Sequence, residues 1–459
     1  MRRRALRAGV SAAAPAESSL APWRGVQWTL AYVGFLVYVF VITTYRFNIG
    51  TVAMGAALLG LPLQRGTLRF PSLVVWSGVF LVWSFFGFSQ SRYPGIVWEH
   101  LIDFAKIWLI TLTAANVIRT RAQLRFFLLF FLGCFALYPV RGALFNYFVY
   151  RESMEGRAYW KMIYANPNDI AAFCLLQLSL AIGVLLTDRR GWARKAALAG
   201  ILVLPFLVLL TQSRGAFIAL VVFALFALGA QRRRKRVRAI ATVLVVGAIV
   251  AVAAPESAWK RLGGIANFTA GGQVDLYRMD REGSAAQRYE IWKVALAIIR
   301  DQPLFGVGLG AYPLAHQAYA TRPDFDKMAR GKRDAHSTYL SIFAETGIVG
   351  LVLFLVVLLV TVRDAERVRR RCRQLLPAES AQLLYLEIGL LAYLIAGLFG
   401  NYGRVVFTYL HLALIYVTAH LMIEQFRTLR LSEHVPVVPP PTMGAPVGLP
   451  AARARRAAY

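Results

Sequence analysis

The chain has 459 residues, 58% of them hydrophobic and only 16% charged, with a formal net charge of +29. A soluble protein of this length would carry about 45–50% apolar and about 25% charged residues, so a single water-soluble core is excluded. The basic residues punctuate long apolar runs, as topology determinants do. They do not line a face or an arm, as nucleic-acid-binding proteins require, so no nucleic-acid partner is expected. The fold class is all-α and polytopic.

Along the chain, residues 1–25 hold Arg2, Arg3, Arg4 and Arg7 and then Ala, Ser and Pro, with no apolar run before Val26. This is expected to be a cytoplasmic tail before an uncleaved first helix. Stretches of about 20 apolar residues predict about twelve transmembrane helices. Nine fall in 26–254: 26–45, 48–64, 71–91, 95–117, 124–144, 168–187, 195–212, 213–230 and 237–254. Three fall in 336–425: 336–361, 382–400 and 404–425. Residues 255–335 form a loop domain with an amphipathic helix, and 426–459 are expected to be a disordered cytoplasmic tail.

Charge tests this layout. The side that carries the N-terminus holds 31 Lys and Arg, against 8 in the short segments opposite. The long loop 255–335 is left out because long loops translocate regardless of charge. Both termini are therefore expected in the cytoplasm, with the loops 145–167 and 255–335 on the far side. Cys134, Cys174 and Cys372 form no CxxC or Cys/His cluster, so neither a disulfide framework nor a zinc site is suggested.

A basic residue on the far side needs a reason beyond topology. Arg214, in TQSRGAF between two adjoining apolar runs, would sit at a helix N-terminus, where backbone N–H groups and the helix dipole favour an anion. Arg288 and Trp292 lie one turn apart on the predicted amphipathic helix 285–300. Its apolar face, Ile291, Val294, Ala295, Ile298 and Ile299, would be buried at the outer membrane surface. Gly306-Val307-Gly308-Leu309-Gly310 follows as a flexible loop. His336 stands where the loop enters span ten, and a near-neutral imidazole there can take a proton from a sugar hydroxyl. Glu345, deep in the same apolar run, demands a partner, and Arg404 is a plausible one. Glu99, His100, Asp103 and Lys106 in span four read as polar contacts between helices or as an ion pathway. Asn166-Pro167-Asn168-Asp169 reads as a helix cap.

These motifs resemble the O-antigen ligase family, which shares a superfamily with polysaccharide polymerases and some O-linked oligosaccharyltransferases. The likeness runs from Asn166 to about Phe354. It rests on NPND at 166–169, SRGA at 213–216, R-x-x-x-W at 288–292, P-x-x-G-x-G-x-G-x-Y at 303–312 and AHSTYLSIFAETGIVG at 335–350. Ser337 stands where the family usually has Asn. The resemblance implies a GT-C-like fold and a metal-independent, inverting glycosyl transfer without cofactor at the periplasmic face of a bacterial inner membrane. Undecaprenyl diphosphate would carry the donor glycan, a sugar hydroxyl of lipid A-core would accept it, and membrane lipids would surround the chain. By the family pattern Arg214 and Arg288 hold the diphosphate and His336 acts on the acceptor. Trp292, Tyr339 and Arg404 complete the expected substrate-binding set. A polymerase, a protein O-oligosaccharyltransferase and, from another class, a twelve-span flippase or transporter are the alternatives.

Overall fold

The computed structural model describes residues 23–64, 66–231, 233–253, 255–263 and 284–433. Most of the expected N-terminal tail, residues 264–283 of the loop domain and the tail beyond 433 lie outside the described residues. Among the described residues the chain is helical, with one isolated β-bridge between Met154 and Arg157.

Helices α1 (Leu30–Thr44), α2 (Gly50–Leu63), α3 (Ser72–Gln90) and α4 (Pro94–Val117) open the bundle. Then come α5 (Arg121–Tyr150), α6 (Pro167–Thr187), α7 (Gly191–Leu210), α8 (Arg214–Gly229) and α9 (Arg233–Ala253). The far segment holds α10 (Glu256–Gly263), α11 (Ser284–Asp301) and α12 (Tyr312–Tyr319), before α13 (Thr338–Cys372), α14 (Pro377–Ala396) and α15 (Val406–Glu433). Seven of these, α3, α5, α6, α7, α13, α14 and α15, are long and apolar enough to cross a membrane, so the protein is multi-pass. α1, α2, α8 and the 239–249 part of α9 are apolar but shorter.

Burial orders the bundle. The apolar windows of α6 and α15 are each 78% buried, against 33% for α3, which puts the first two at the centre and α3 at the rim. α6 packs along α14 and α7, while α13 packs on α3 and α15. On the rim, Val75, Val79, Val82 and Phe86 of α3 and Val221 and Leu225 of α8 are exposed, as lipid-facing side chains are.

The ends of the helices are set by local chemistry. Thr120 and Gln123 form a capping box at the start of α5. Asn166 caps α6, its side chain accepting from the Asn168 N–H at 2.9 Å, with Pro167 in the first turn. In α5, Pro139 lacks an N–H, and the helix widens into a π-turn at Ala136–Val140.

Three expectations are corrected here. The amphipathic face of α11 is not laid on lipid: Ile291, Val294, Ala295 and Ile298 are buried where α11 packs on α13 and α12. Periodicity marks an apolar stripe but not what covers it. Gly306–Gly310 is not a free loop, because it is threaded against a break in α13. Gly347 has φ 69° and ψ −173°, a conformation essentially confined to glycine. The break releases carbonyls that the loop satisfies: Val307 N–H donates to Ala344 and Gly308 N–H to Glu345, both at 2.9 Å, and Ile348 N–H donates back to Pro303 at 2.8 Å. Trp83 of α3 closes the joint, donating to the Thr346 carbonyl at 2.8 Å and stacking on Phe305. Finally, the tail expected from 426 begins as helix. No Gly or Pro interrupts α15 before Glu433, and Phe426 is buried.

Candidate active site

The site is built where the start of α13, the α14–α15 connection, the start of α6, α11 and the α7–α8 turn meet. Thr338 locks two of these together. Its N–H donates to the Gly397 carbonyl, its hydroxyl donates to the Gly400 carbonyl, and it accepts from the Tyr402 N–H, each at 2.8 Å. Tyr402 then reaches α6, donating to the Asn168 carbonyl at 3.1 Å and engaging the Asp169 carboxyl group. Tyr393 stacks on Tyr402 with ring centroids 4.9 Å apart.

α11 joins from the other side. The indole of Trp292 donates to the Ala335 carbonyl at 2.8 Å, one residue before His336. Arg288, one turn earlier on α11, acts electrostatically on His336, Asp169 and Tyr402 alike. His336 itself holds a left-handed backbone at φ 48°, a strained choice for a residue with a Cβ. Burial lowers its pKa first, and the Arg288 and Arg333 cations lower it further against the pull of Asp334, down to about 4. The imidazole is therefore neutral at ordinary pH and free to accept a proton.

Arg214 belongs to the same end through the backbone. It is the first residue of α8, capped by Ser213, whose side chain accepts from the Ala216 N–H. Gln212 before it is left-handed at φ 51° and donates to the Gly156 carbonyl at 2.9 Å. A Cβ at Gly215 would lie 2.6 Å from Phe399 Cδ2, so only glycine lets the helix end press on the α14–α15 connection. Arg157, 8% exposed, ties this turn to α6, donating to the Thr211 carbonyl and to Asn168 Oδ1, each at 2.8 Å. The charges acting on His336 are Arg288, Asp334 and Arg333, and Arg214 is not among them.

The remaining expected residues have partners inside the protein. Tyr339 donates to the Leu394 carbonyl at 2.9 Å. Arg404 sits 3.2 Å from the buried Glu345 carboxylate and 2.9 Å from His100 Nδ1, so the expected Glu345–Arg404 pairing is present. Asp103 and Lys106 pair on an exposed face at 2.9 Å. Sequence reasoning read Asp169 only as part of a helix cap and missed Tyr402, Arg157 and the buried His316, whose Nδ1 lies 3.1 Å from the Gly331 carbonyl and steadies the approach to His336.

The arrangement is a neutral imidazole in the field of the Arg288 guanidinium at one end of a helical bundle, with a second arginine at the N-terminus of α8. Residues 196–355 match the family model described as O-antigen ligase. The resemblance drawn from the motifs is borne out over this segment, which covers about a third of the 459 residues. The matched segment runs from α7 into α13 and holds Arg214, Arg288, Trp292, His336, Tyr339 and Glu345. Asp169, Tyr393 and Tyr402, which complete the site, lie outside it. None of the curated proteins matches the chain.

Proposed function

We propose that the protein is an O-antigen ligase. In this reading it moves a glycan from undecaprenyl diphosphate to a sugar hydroxyl of lipid A-core at the periplasmic face of the inner membrane, with twelve spans, a GT-C-like layout and both termini cytoplasmic. Arg288 and Arg214 receive the diphosphate. A diphosphate leaving group already carries stabilised charge, so catalysis rests on cations aimed at its oxygens. The acceptor oxygen attacks the anomeric carbon from the face opposite the departing diphosphate. The C–O bond to the carrier breaks as the new one forms, and the acceptor proton passes to His336.

The observation that carries this reading is the electrostatic coupling of Arg288 to a neutral His336. Burial is the main reason the imidazole stays deprotonated, and an anion held by Arg288 offsets the further lowering that this cation adds. His336 thus becomes a stronger base when the donor is bound. Trp292, Tyr339 and Arg404 act through the frame, each engaged with the protein itself. A polymerase or a protein O-oligosaccharyltransferase would use the same donor machinery, and the acceptor separates them.

The test is purified protein given carrier-linked glycan and, in separate arms, lipid A-core, a second carrier-linked repeat, or an acceptor protein. Transfer to lipid A-core alone is expected. Arg288→Ala and Arg214→Ala are expected to lower it by at least about 100-fold with normal protein in the membrane. Undiminished transfer in both variants would remove the diphosphate clamp.

A further inference from the structure

At the end of the bundle opposite His336 lies a cavity of about 930 Å³, and it is cationic. α6 connects the two ends: Asn168 and Asp169 at its start belong to the candidate active site, while Val184, Leu186 and Thr187 at its end line the cavity. Its 21 residues span about 30 Å at about 1.5 Å per residue, the thickness of a bilayer's hydrocarbon core. The cavity therefore sits at the level of the other membrane surface.

Arg24, Arg121, Arg125, Arg189, Arg190 and Arg194 line it, with Asp188 and Glu379 as the only carboxylates among the described residues. Arg190 pairs with Asp188 at 2.5 Å and Arg121 with Glu379 at 2.8 Å. The arginines outnumber the carboxylates by four, and concentrating them in a recess is unfavourable unless an anion joins them. A second observation points to a ligand. The Thr418 hydroxyl, on a residue 3% exposed, lines the cavity without a hydrogen-bond partner among the described residues. Beside the arginines the wall turns apolar at Leu124, Leu128, Val184 and Leu421.

We propose that this cavity binds the phosphate headgroup of an anionic membrane phospholipid, with its acyl chains along the apolar wall. Guanidinium groups suit phosphate oxygens, basic recesses between membrane helices hold acidic lipid headgroups, and the apolar wall favours a lipid over free phosphate. The chain's own N-terminal segment is a poor occupant: residues 1–22 carry Arg2, Arg3, Arg4 and Arg7 against the single carboxylate of Glu17. The site is independent of the transfer reaction and stands or falls apart from it.

The experiment uses delipidated full-length protein in a neutral detergent and reads thermal stability as lipid is added. Phosphatidylglycerol is expected to raise the melting temperature saturably, and phosphatidylcholine is not. The variant Arg24→Gln/Arg189→Gln/Arg194→Gln changes three exposed side chains, so its fold is expected to survive. It is expected to weaken the phosphatidylglycerol response on the order of 10- to 100-fold. Arg300→Gln/Arg330→Gln/Lys332→Gln, at the opposite end, is expected to leave the response intact. A response equal for both lipids, or undiminished in the first triple variant, overturns the proposal. So does saturable binding of inorganic phosphate or pyrophosphate with no added affinity for the lipid, which would make the site one for a soluble anion.

Discussion

The Trp292 indole N–H and the Ala335 carbonyl are 2.8 Å apart, and this bond joins the helix that carries Arg288 to the residue next to His336. This side chain thus helps to hold in register the two groups on which the proposed chemistry depends. Trp292→Phe keeps most of the ring's packing and removes only the donor. A buried carbonyl without its partner costs about 1–3 kcal/mol. The expected outcome is a fall in kcat of roughly tenfold, since small displacements of reacting groups are costly, with the KM for the donor little changed. A variant that lost donor affinity while keeping kcat would show that Trp292 contacts substrate instead.

His336 makes a prediction about pH. Its pKa in the folded protein, about 4, lies below its ordinary value of 6.5. The folded state therefore resists protonation, and the unfolded chain takes up the proton first as pH falls through that window. This group's contribution to stability is intact above about pH 6.5 and is lost on acidification toward about pH 4. For activity, the profile of kcat/KM reports the free enzyme and that of kcat the donor complex. The acid limb of kcat/KM is expected near pH 4–5, and that of kcat at higher pH, because bound diphosphate offsets Arg288. Coincident limbs would sink the coupling between donor binding and base strength.

Much of the scaffold was legible in the sequence, and so was one ion pair. The apolar stretch 95–117 became Pro94–Val117, and NPND became the cap of α6. Glu345 lies so deep in an apolar run that a cation had to meet it, and Arg404 does. Other features left no readable trace. Tyr402 and Asn168 are 234 positions apart, and nothing in either short polar motif names the other. Glycines at 306, 308 and 310 look the same whether a loop is free or threaded against a helix break. The break at Gly347, within TGIVG, resembles any glycine tolerated in a membrane helix. The stripe on α11 is the same whether lipid or protein covers it. In each case local pattern was visible and the tertiary partner was not.

The Glu345–Arg404 pair has an asymmetric expectation. Glu345 is 1% exposed, and Arg404 and Ser341 are its side-chain neighbours. Arg404→Ala leaves a buried carboxylate without its cation, at a cost of roughly 3–5 kcal/mol. A large fall in melting temperature in detergent is expected. Glu345→Gln/Arg404→Gln removes both charges and is expected to restore much of that loss, because a neutral amide costs less to bury than an unpaired ion. If the double variant were no more stable than Arg404→Ala, the ion pair would not be what holds this joint.

Gly347 supports the sharpest stability prediction. Its φ of 69° with ψ −173° is closed to residues with a Cβ, and a Cβ built there would lie 1.9 Å from the Leu304 carbonyl oxygen. Gly347→Ala therefore meets both backbone strain and a backbone clash, and neither yields to a change of rotamer. The chain can relieve them only by closing the break into continuous helix. That would withdraw the Ala344 and Glu345 carbonyls from Val307 and Gly308 and expel the loop. A cost of roughly 3 kcal/mol or more is expected, together with loss of transfer, since the loop ties α11 to α13. Gly133→Ala is the control: nothing lies within 4 Å of a Cβ there, and within α5 the change is expected to be neutral or slightly stabilising. The readouts are melting temperature and the quenching of Trp83 fluorescence, whose indole is bonded to the Thr346 carbonyl and stacked on Phe305. Equal behaviour of the two variants would mean that the break at Gly347 is not a fixed part of the fold.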